Sequence, residues 1–181
     1  MAKPNLHNIN PREIFLHGNG FHRTVQLVGA MNFSPQDGME IASPMMVLSA
    51  LNSELFFKCL ICIETGQIPI GHNLADLFQM LSETTRQRID HIWQTEAVPL
   101  REKMWLAIEK QIGEPIKRDL LSALVAGSRA FELIRYSYER GEPITFYLND
   151  LPTILGRVIL EIKPDWNNLH HQVTRLLPSP Q

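Results

Sequence analysis

The stretch 44–65 limits the possible folds most, because it is apolar on almost every side when it is wound as a helix. A helix without a broad polar face lies buried among other elements. Ser43 is expected to cap its start with Pro44 in the first turn, and Gly66 is the residue type that ends helices. The sequence therefore predicts a central helix around which the other elements pack.

The segment before this helix is predicted to be an arm that packs on the bundle. Glycine and asparagine break the helical pattern there. The predicted features are one helical turn at 13–17, a turn at the H-G-N-G sequence of 17–20 and a short helix over 21–31. Residues 34–38 are predicted to be a loop or the start of one extra turn. We accordingly divide the chain into an arm, 1–40, and a single helical domain, 41–181.

Helix signals continue after the central helix. Asn73 is expected to cap a helix over 74–81, and Ser82 is expected to cap the next one. Pro99 is expected to interrupt or restart that helix, and Pro115 to open the longest regular helix of the chain.

The end of the chain follows the same pattern. The longest helix is expected to end at Gly141, Asn149 or Asp150 to cap a last helix, and Pro164 to end it. Strand signals are nearly absent. The predicted fold class is therefore all-α, an antiparallel helical bundle with extra N- and C-terminal helices.

Composition narrows the class of function and the compartment. The 181 residues carry a net charge of −2, which gives no overall basic field for a polyanion. Uninterrupted apolar runs are far shorter than the ~20 residues of a membrane span, and the first residues lack a signal-peptide pattern. We expect a cytoplasmic protein that does not enter a membrane.

Two cysteines have the C-x-x-C spacing of redox and metal motifs. Cys59 and Cys62 lie in the middle of the apolar helix, however, and no second pair is present. A redox pair needs an exposed helix start, and a zinc site needs more ligands. We expect both thiols to be small core residues, and we expect no metal and no cofactor.

Three polar residues stand at or near the central helix. Glu54 and Lys58 are four residues apart and are expected to form an internal ion pair, or alternatively to line a polar pocket. His72 precedes the capping Asn73 and is expected to hold the turn. Its imidazole could instead act in acid–base chemistry or contact a nucleotide.

Arg86 lies five residues before His91, a candidate pair for holding and cleaving a phosphate. On one regular helix five positions separate their side chains by about 140°, so they would not converge on one phosphate. A surface pair between Arg86 and Asp90 is the simpler interpretation.

A second cationic stretch lies near the predicted end of the long helix. It could be a solvated, ion-paired face or a surface that stacks bases and holds phosphates. Its residues are Arg129, Arg135, Tyr136, Tyr138 and Arg140.

The central stretch resembles the HEPN family, the higher eukaryotes and prokaryotes nucleotide-binding domains. The resemblance is carried by S-E-L-F-F-K-C-L at 53–60, G-H-N-L at 71–74 and Leu77-Phe78, which match a Glu-x-x-x-Lys helix, a short loop and a His-Asp-Leu helix start. It covers about 43–82, with Asn73 in place of the aspartate, and extends more weakly to 135–139.

The resemblance implies a small antiparallel helical bundle that forms a homodimer. It also implies contact with nucleotide or RNA through Glu54, Lys58, His72, Arg135 and Tyr138. Because HEPN proteins occur in defence, toxin–antitoxin and RNA-processing systems, a protein partner such as a cognate antitoxin is a further expectation.

Many HEPN proteins are metal-independent endoribonucleases with a late Arg-x(4–6)-His motif. The match in this chain, Arg86 to His91, comes early, and no histidine follows Arg129, Arg135 or Arg140 at that spacing. We therefore favour a non-catalytic HEPN-like binding or interaction protein. One alternative is an endoribonuclease that uses Arg86 and His91 or a site assembled across a dimer. The other is a helical scaffold without a small ligand.

Overall fold

The computed structural model describes residues 10–128 and 148–168, and every regular element in these ranges is helical. The all-α prediction is therefore confirmed for the described chain. In order, the elements are α1 (Pro11–Gly29), α2 (Pro35–Thr65), α3 (Leu74–Gln79), α4 (Glu83–Ile92), a π segment (Trp93–Ala97), α5 (Val98–Ile112), α6 (Leu120–Ser128), α7 (Leu151–Ile162) and a 3₁₀ turn (Pro164–Asn168).

Helix α2 forms the centre of the described fold, as the sequence predicts. Phe56, Phe57 and Leu60 are fully buried on it, and α1, α3 and α7 all pack against it. Burial of one such side chain stabilises the folded state by about 1.5–3 kcal/mol. Gly66 ends α2 in the left-handed conformation, with φ 72°, so the predicted stop is confirmed.

The start of α2 differs from the prediction. Ser34, rather than Ser43, is the N-cap, and Pro44 lies inside a continuous helix. Both Ser34 and Ser43 precede a proline, and of these two only Ser34 is followed three residues later by a carboxylate. Asp37 N–H donates to Ser34 Oγ, and the hydroxyl donates back to Asp37 Oδ2 at 2.7 Å, which stabilises the earlier start. The boundary placed after residue 40 consequently falls within α2.

The N-terminal segment is one long helix, so the turn predicted at 17–20 and the separate helix over 21–31 are wrong. Gly18 lies inside α1 and is buried against α2. A Cβ atom added to Gly18 would lie 2.6 Å from Phe56 Cε1. The glycine is therefore needed for close helix packing and does not form a turn.

Asn73 and Ser82 cap α3 and α4, as the sequence predicts. Pro99 restarts the helix, which is one of the two outcomes that the sequence predicts. The chain stays helical through the π segment, in which Val98 N–H donates to the carbonyl of Trp93, and Pro99 occupies the first turn of α5. The missing proline N–H costs little at that position.

Helix α6 begins at Leu120, five residues later than the predicted start at Pro115. Side-chain contacts hold the intervening residues: Ile116 N–H donates to Glu109 at 2.6 Å, and Trp93 Nε1 donates to the Arg118 carbonyl at 2.8 Å. The start that was predicted for the longest helix, Pro115, is therefore wrong. The predicted end of that helix, Gly141, lies outside the described residues. The longest described helix is α2.

Helix α7 has Asp150 at its N-cap and ends before Pro164, as the sequence predicts. The Asp150 side chain does not cap the helix. It instead accepts two hydrogen bonds of 2.7 Å from Arg101 on α5, and the ion pair joins α7 to that helix.

One described segment, Gln36–Thr65, is long and apolar enough to cross a membrane by length and composition alone, and 56% of its most apolar window is buried. A core helix of a folded domain has the same properties.

Candidate functional site

The corner between α2 and α3 brings together three of the predicted site residues. After α2 ends, the chain turns through 67–72 and starts α3 at Asn73. This turn places His72 Nδ1 2.9 Å from Glu54 Oε1, and Lys58 Nζ lies 2.8 Å from the same oxygen atom. We refer to Glu54, Lys58 and His72 as the polar corner.

The charges of the polar corner are satisfied within it. The side chains of Lys58 and Glu54 are only 12% and 15% exposed, whereas that of His72 is 78% exposed. One carboxylate lies between the ammonium and the imidazole, so the positive charge of Lys58 is neutralised at the point where a phosphate would have to bind. The predicted internal ion pair between Glu54 and Lys58 is present, and His72 lies within hydrogen-bonding distance of the same carboxylate.

Helix α6 closes the corner from the other side. Ser128 Oγ lies 2.9 Å from Asn73 Oδ1 and accepts a hydrogen bond from Ala75 N–H at 3.2 Å. Asn73 Oδ1 also accepts from the N–H groups of Ala75 and Asp76, so the cap joins α3 to α6. The asparagine side chain therefore acts as the N-cap of α3.

The cavity at the polar corner is too small for a nucleotide. It measures about 10 Å³ and lies between Glu54, His72, Leu74 and Ser128. That volume accommodates at most one water molecule, whereas ligand pockets measure roughly 300–1,000 Å³. Among the described residues the corner is therefore a junction of helices. Arg135 and Tyr138, which were expected to complete it, lie outside the described residues.

The proposed catalytic pair is not assembled in the described chain. Arg86 Nη1 donates to the Gln79 side chain at 2.8 Å and to its carbonyl at 3.3 Å, while His91 is exposed in the last turn of α4. No hydrogen bond or ion pair joins Arg86 to Asp90 in the described chain, so the predicted surface ion pair is wrong. The contact with Gln79 gives Arg86 a structural role between α3 and α4.

Two concavities of the described chain lie beside α6. A cleft of about 310 Å³ contains Arg86 together with Asp90 and Asp119. The N–H of Ser122 lowers the pKa of the Asp119 carboxyl, which therefore stays ionised at neutral pH. Two carboxylates beside one guanidinium make this cleft a poor site for an anion.

An open groove of about 580 Å³ lies on the other side of Leu121. Its lining is mainly apolar, with Glu114 and Lys117 as its charged groups. Ile112, Leu121 and Val125 are 47%, 43% and 59% exposed there, so this groove is one of the apolar surfaces of the described chain.

The two cysteines are core residues, as predicted. Cys59 is fully buried, its thiol lies 3.3 Å from the Pro11 carbonyl, and Cys62 is 4% exposed. Burial and the neighbouring Cys62 raise the pKa of Cys59 to about 12. The thiolate that redox or metal chemistry requires is therefore disfavoured.

Sequence reasoning missed a surface that the fold makes conspicuous. In α1 and α2 no residue from 19 to 48 whose side chain is described is buried, although many are apolar. Leu27, Met31 and Met39 are 59%, 61% and 75% exposed. We call residues 19–48 the distal hairpin. The expected break at 17–20 hid its helical pattern.

Sequence reasoning also missed the ion pairs between distant elements. Arg88 on α4 makes two hydrogen bonds with Glu161 on α7, at 2.9 and 2.7 Å, and Arg157 binds Glu96 at 2.8 Å. No spacing along the chain predicts such pairs, because their partners are more than sixty residues apart in sequence.

No group of three or more potential ligand residues that could hold a metal ion occurs in the described ranges. Comparisons with family models, with curated proteins and with solved structures found no match to this chain.

Proposed function

We propose that this protein is a non-catalytic, HEPN-like helical interaction protein that acts as a homodimer. The observation that carries the proposal is the exposure of large apolar side chains on the distal hairpin, where Leu27, Met31 and Met39 are each more than half exposed. Contiguous exposed apolar surface is characteristic of protein–protein contact.

The non-catalytic part of the proposal is supported by the arrangement of the polar residues. Arg86 donates a hydrogen bond to Gln79, and His91 is exposed and makes no hydrogen bond with Arg86 in the described chain. Glu54 neutralises the charge of Lys58. General acid–base cleavage of RNA needs a donor and an acceptor within reach of one phosphate. The HEPN-like kinship is supported by the Glu54–Lys58 pair, the short loop and the Asn73 cap.

Sedimentation equilibrium of the purified chain tests the homodimer. We expect a species of twice the 20.7 kDa chain mass at micromolar concentration, since exposed apolar side chains gain free energy when they are buried. A single species of 20.7 kDa at every concentration would contradict the proposed homodimer.

The endoribonuclease remains the competing hypothesis, because the family resemblance favours it. Incubation of the protein with total RNA in EDTA distinguishes an endoribonuclease from the proposed non-catalytic protein. We expect intact RNA with the wild-type protein and with the variants Arg86→Ala and His91→Ala. Cleavage by the wild type that is lost in His91→Ala would establish the nuclease instead.

A further inference from the structure

The coverage of apolar residues falls from the base of α1 and α2 to the tip of the distal hairpin. Toward the base, Phe15 of α1 is fully buried, and Met46 and Val47 of α2 pack on the core. Toward the tip, Leu27 and Met39 are each more than half exposed. Helices α1 and α2 pack against each other, and near the tip no described element buries these two side chains.

Few charged groups occur in the distal hairpin, and their distribution is asymmetric. Helix α1 contributes Arg23, and helix α2 contributes Asp37 and Glu40. All three are exposed, and none takes part in an ion pair of the described chain. The hairpin therefore presents one positive helix and one negative helix beside the same apolar residues.

This asymmetry fits a second copy of the same surface. A two-fold symmetric contact can place α1 of one protomer against α2 of the other, and each such contact then occurs twice. Arg23 is four residues before Leu27, so both lie on one side of α1, and Glu40 follows Met39 about 100° further around α2. The two-fold operation pairs opposite charges beside buried apolar side chains, whereas a parallel, like-to-like contact would pair identical charges.

The charges argue against a lipid surface as the occupant. One arginine and two carboxylates give the distal hairpin a net charge of 1 − 2 = −1. Helices that lie on anionic membranes carry a lysine- and arginine-rich face.

We propose that the distal hairpins of two copies pack side by side in opposite directions, with Arg23 of each protomer beside the Glu40 carboxylate of its partner. Leu27 and Met39 are buried in this contact. The inference rests on the proposed homodimer. It adds which surface forms the dimer interface and which charged residues pair across it.

The test is sedimentation equilibrium of full-length variants, with circular dichroism to verify folding. We expect Leu27→Glu with Met39→Glu to weaken dimerisation at least roughly tenfold, because each dimer would bury unpaired carboxylates. Leu100→Glu on α5 is the matched control, since Leu100 is 67% exposed outside the hairpin, and it should leave the dimer intact.

Charge reversal tests the pairing itself. Arg23→Glu and Glu40→Arg should each weaken the dimer, and the double variant should restore it, because only facing charges compensate each other. Single variants without effect, or no restoration in the double variant, would overturn the pairing. A dimer unchanged by Leu27→Glu with Met39→Glu would overturn the interface and leave the homodimer standing.

A monomeric wild type would overturn both proposals. Flotation of such a monomer with anionic vesicles, lost in the Leu27→Glu and Met39→Glu variant, would assign the hairpin to a lipid surface instead.

Discussion

Phe56 determines how closely the helices approach each other at the centre of the fold. It is fully buried, with Gly18 of α1 on one side and Gly156 of α7 on the other. Its ring stacks on Phe15 at 5.8 Å between ring centroids. Each glycine leaves room for the ring, so three helices meet at one side chain.

Replacement of Gly18 by alanine is expected to destabilise the protein. Its Cβ atom would lie 2.6 Å from the Phe56 ring, which cannot move because it is enclosed. We expect a loss of about 1–3 kcal/mol in the free energy of unfolding, measured by urea denaturation. Gly20→Ala is the control, because nothing lies within 4 Å of its added Cβ, and it should stabilise α1 by about 0.5–1 kcal/mol. Equal effects of the two variants would contradict this packing.

Glu64 joins the end of α2 to the start of α4. Its carboxylate accepts hydrogen bonds from the Ser82 N–H and hydroxyl, both at 2.8 Å, and from the Thr85 hydroxyl at 2.6 Å. Burial alone would raise the pKa of Glu64, but these hydrogen bonds together lower it below 4.5. The folded state therefore favours the ionised carboxylate.

The stability contributed by Glu64 should depend on pH. A lowered pKa means that the contribution is complete above the unfolded-state value of 4.5 and is lost as the pH falls through the folded-state value. We expect Glu64→Gln to cost about 1 kcal/mol at pH 7, a figure reduced by solvent screening of this exposed group, and less at pH 3. Urea denaturation at both pH values measures this difference, with Glu83→Gln in the first turn of α4 as the control. A cost that does not change with pH would contradict the assignment.

The sequence predicted those elements whose start and stop signals are local. Gly66, Asn73, Ser82 and Pro164 all act as expected, because a cap or a stop depends on a few neighbouring residues. The start of α2 was wrong although its signal, Ser34 with Asp37, is also local. The break predicted in α1 was wrong because it depends on a distant contact. Gly18 was interpreted as a turn because its requirement for space comes from Phe56, far away in the chain.

The candidate site could be predicted only in part for the same reason. The pair of Glu54 and Lys58 follows from a spacing of four on one helix, but the approach of His72 to Glu54 depends on the path of the loop. The exposure of Leu27 and Met39 depends on how much of α1 and α2 the other helices cover. No single helix pattern contains that information.

At the scale of the whole molecule, the described fold consists of a packed base and an uncovered hairpin. The base contains the buried residues of every helix, including the fully buried Trp93 and Trp105, whereas residues 19–48 have no buried side chain among those described. An apolar hairpin without a cover is expected to exchange its amide hydrogens easily unless a partner protects it. The stability of the distal hairpin should therefore depend on protein concentration.

Amide hydrogen exchange of the wild-type chain at two protein concentrations tests the central claim most directly. One concentration should favour the monomer and the other the dimer, as judged by sedimentation. The account predicts that peptides within 19–48 exchange more slowly at the higher concentration, while peptides from α5 exchange equally at both. Exchange within 19–48 that is fast and independent of concentration would contradict the claim that a second copy covers the distal hairpin.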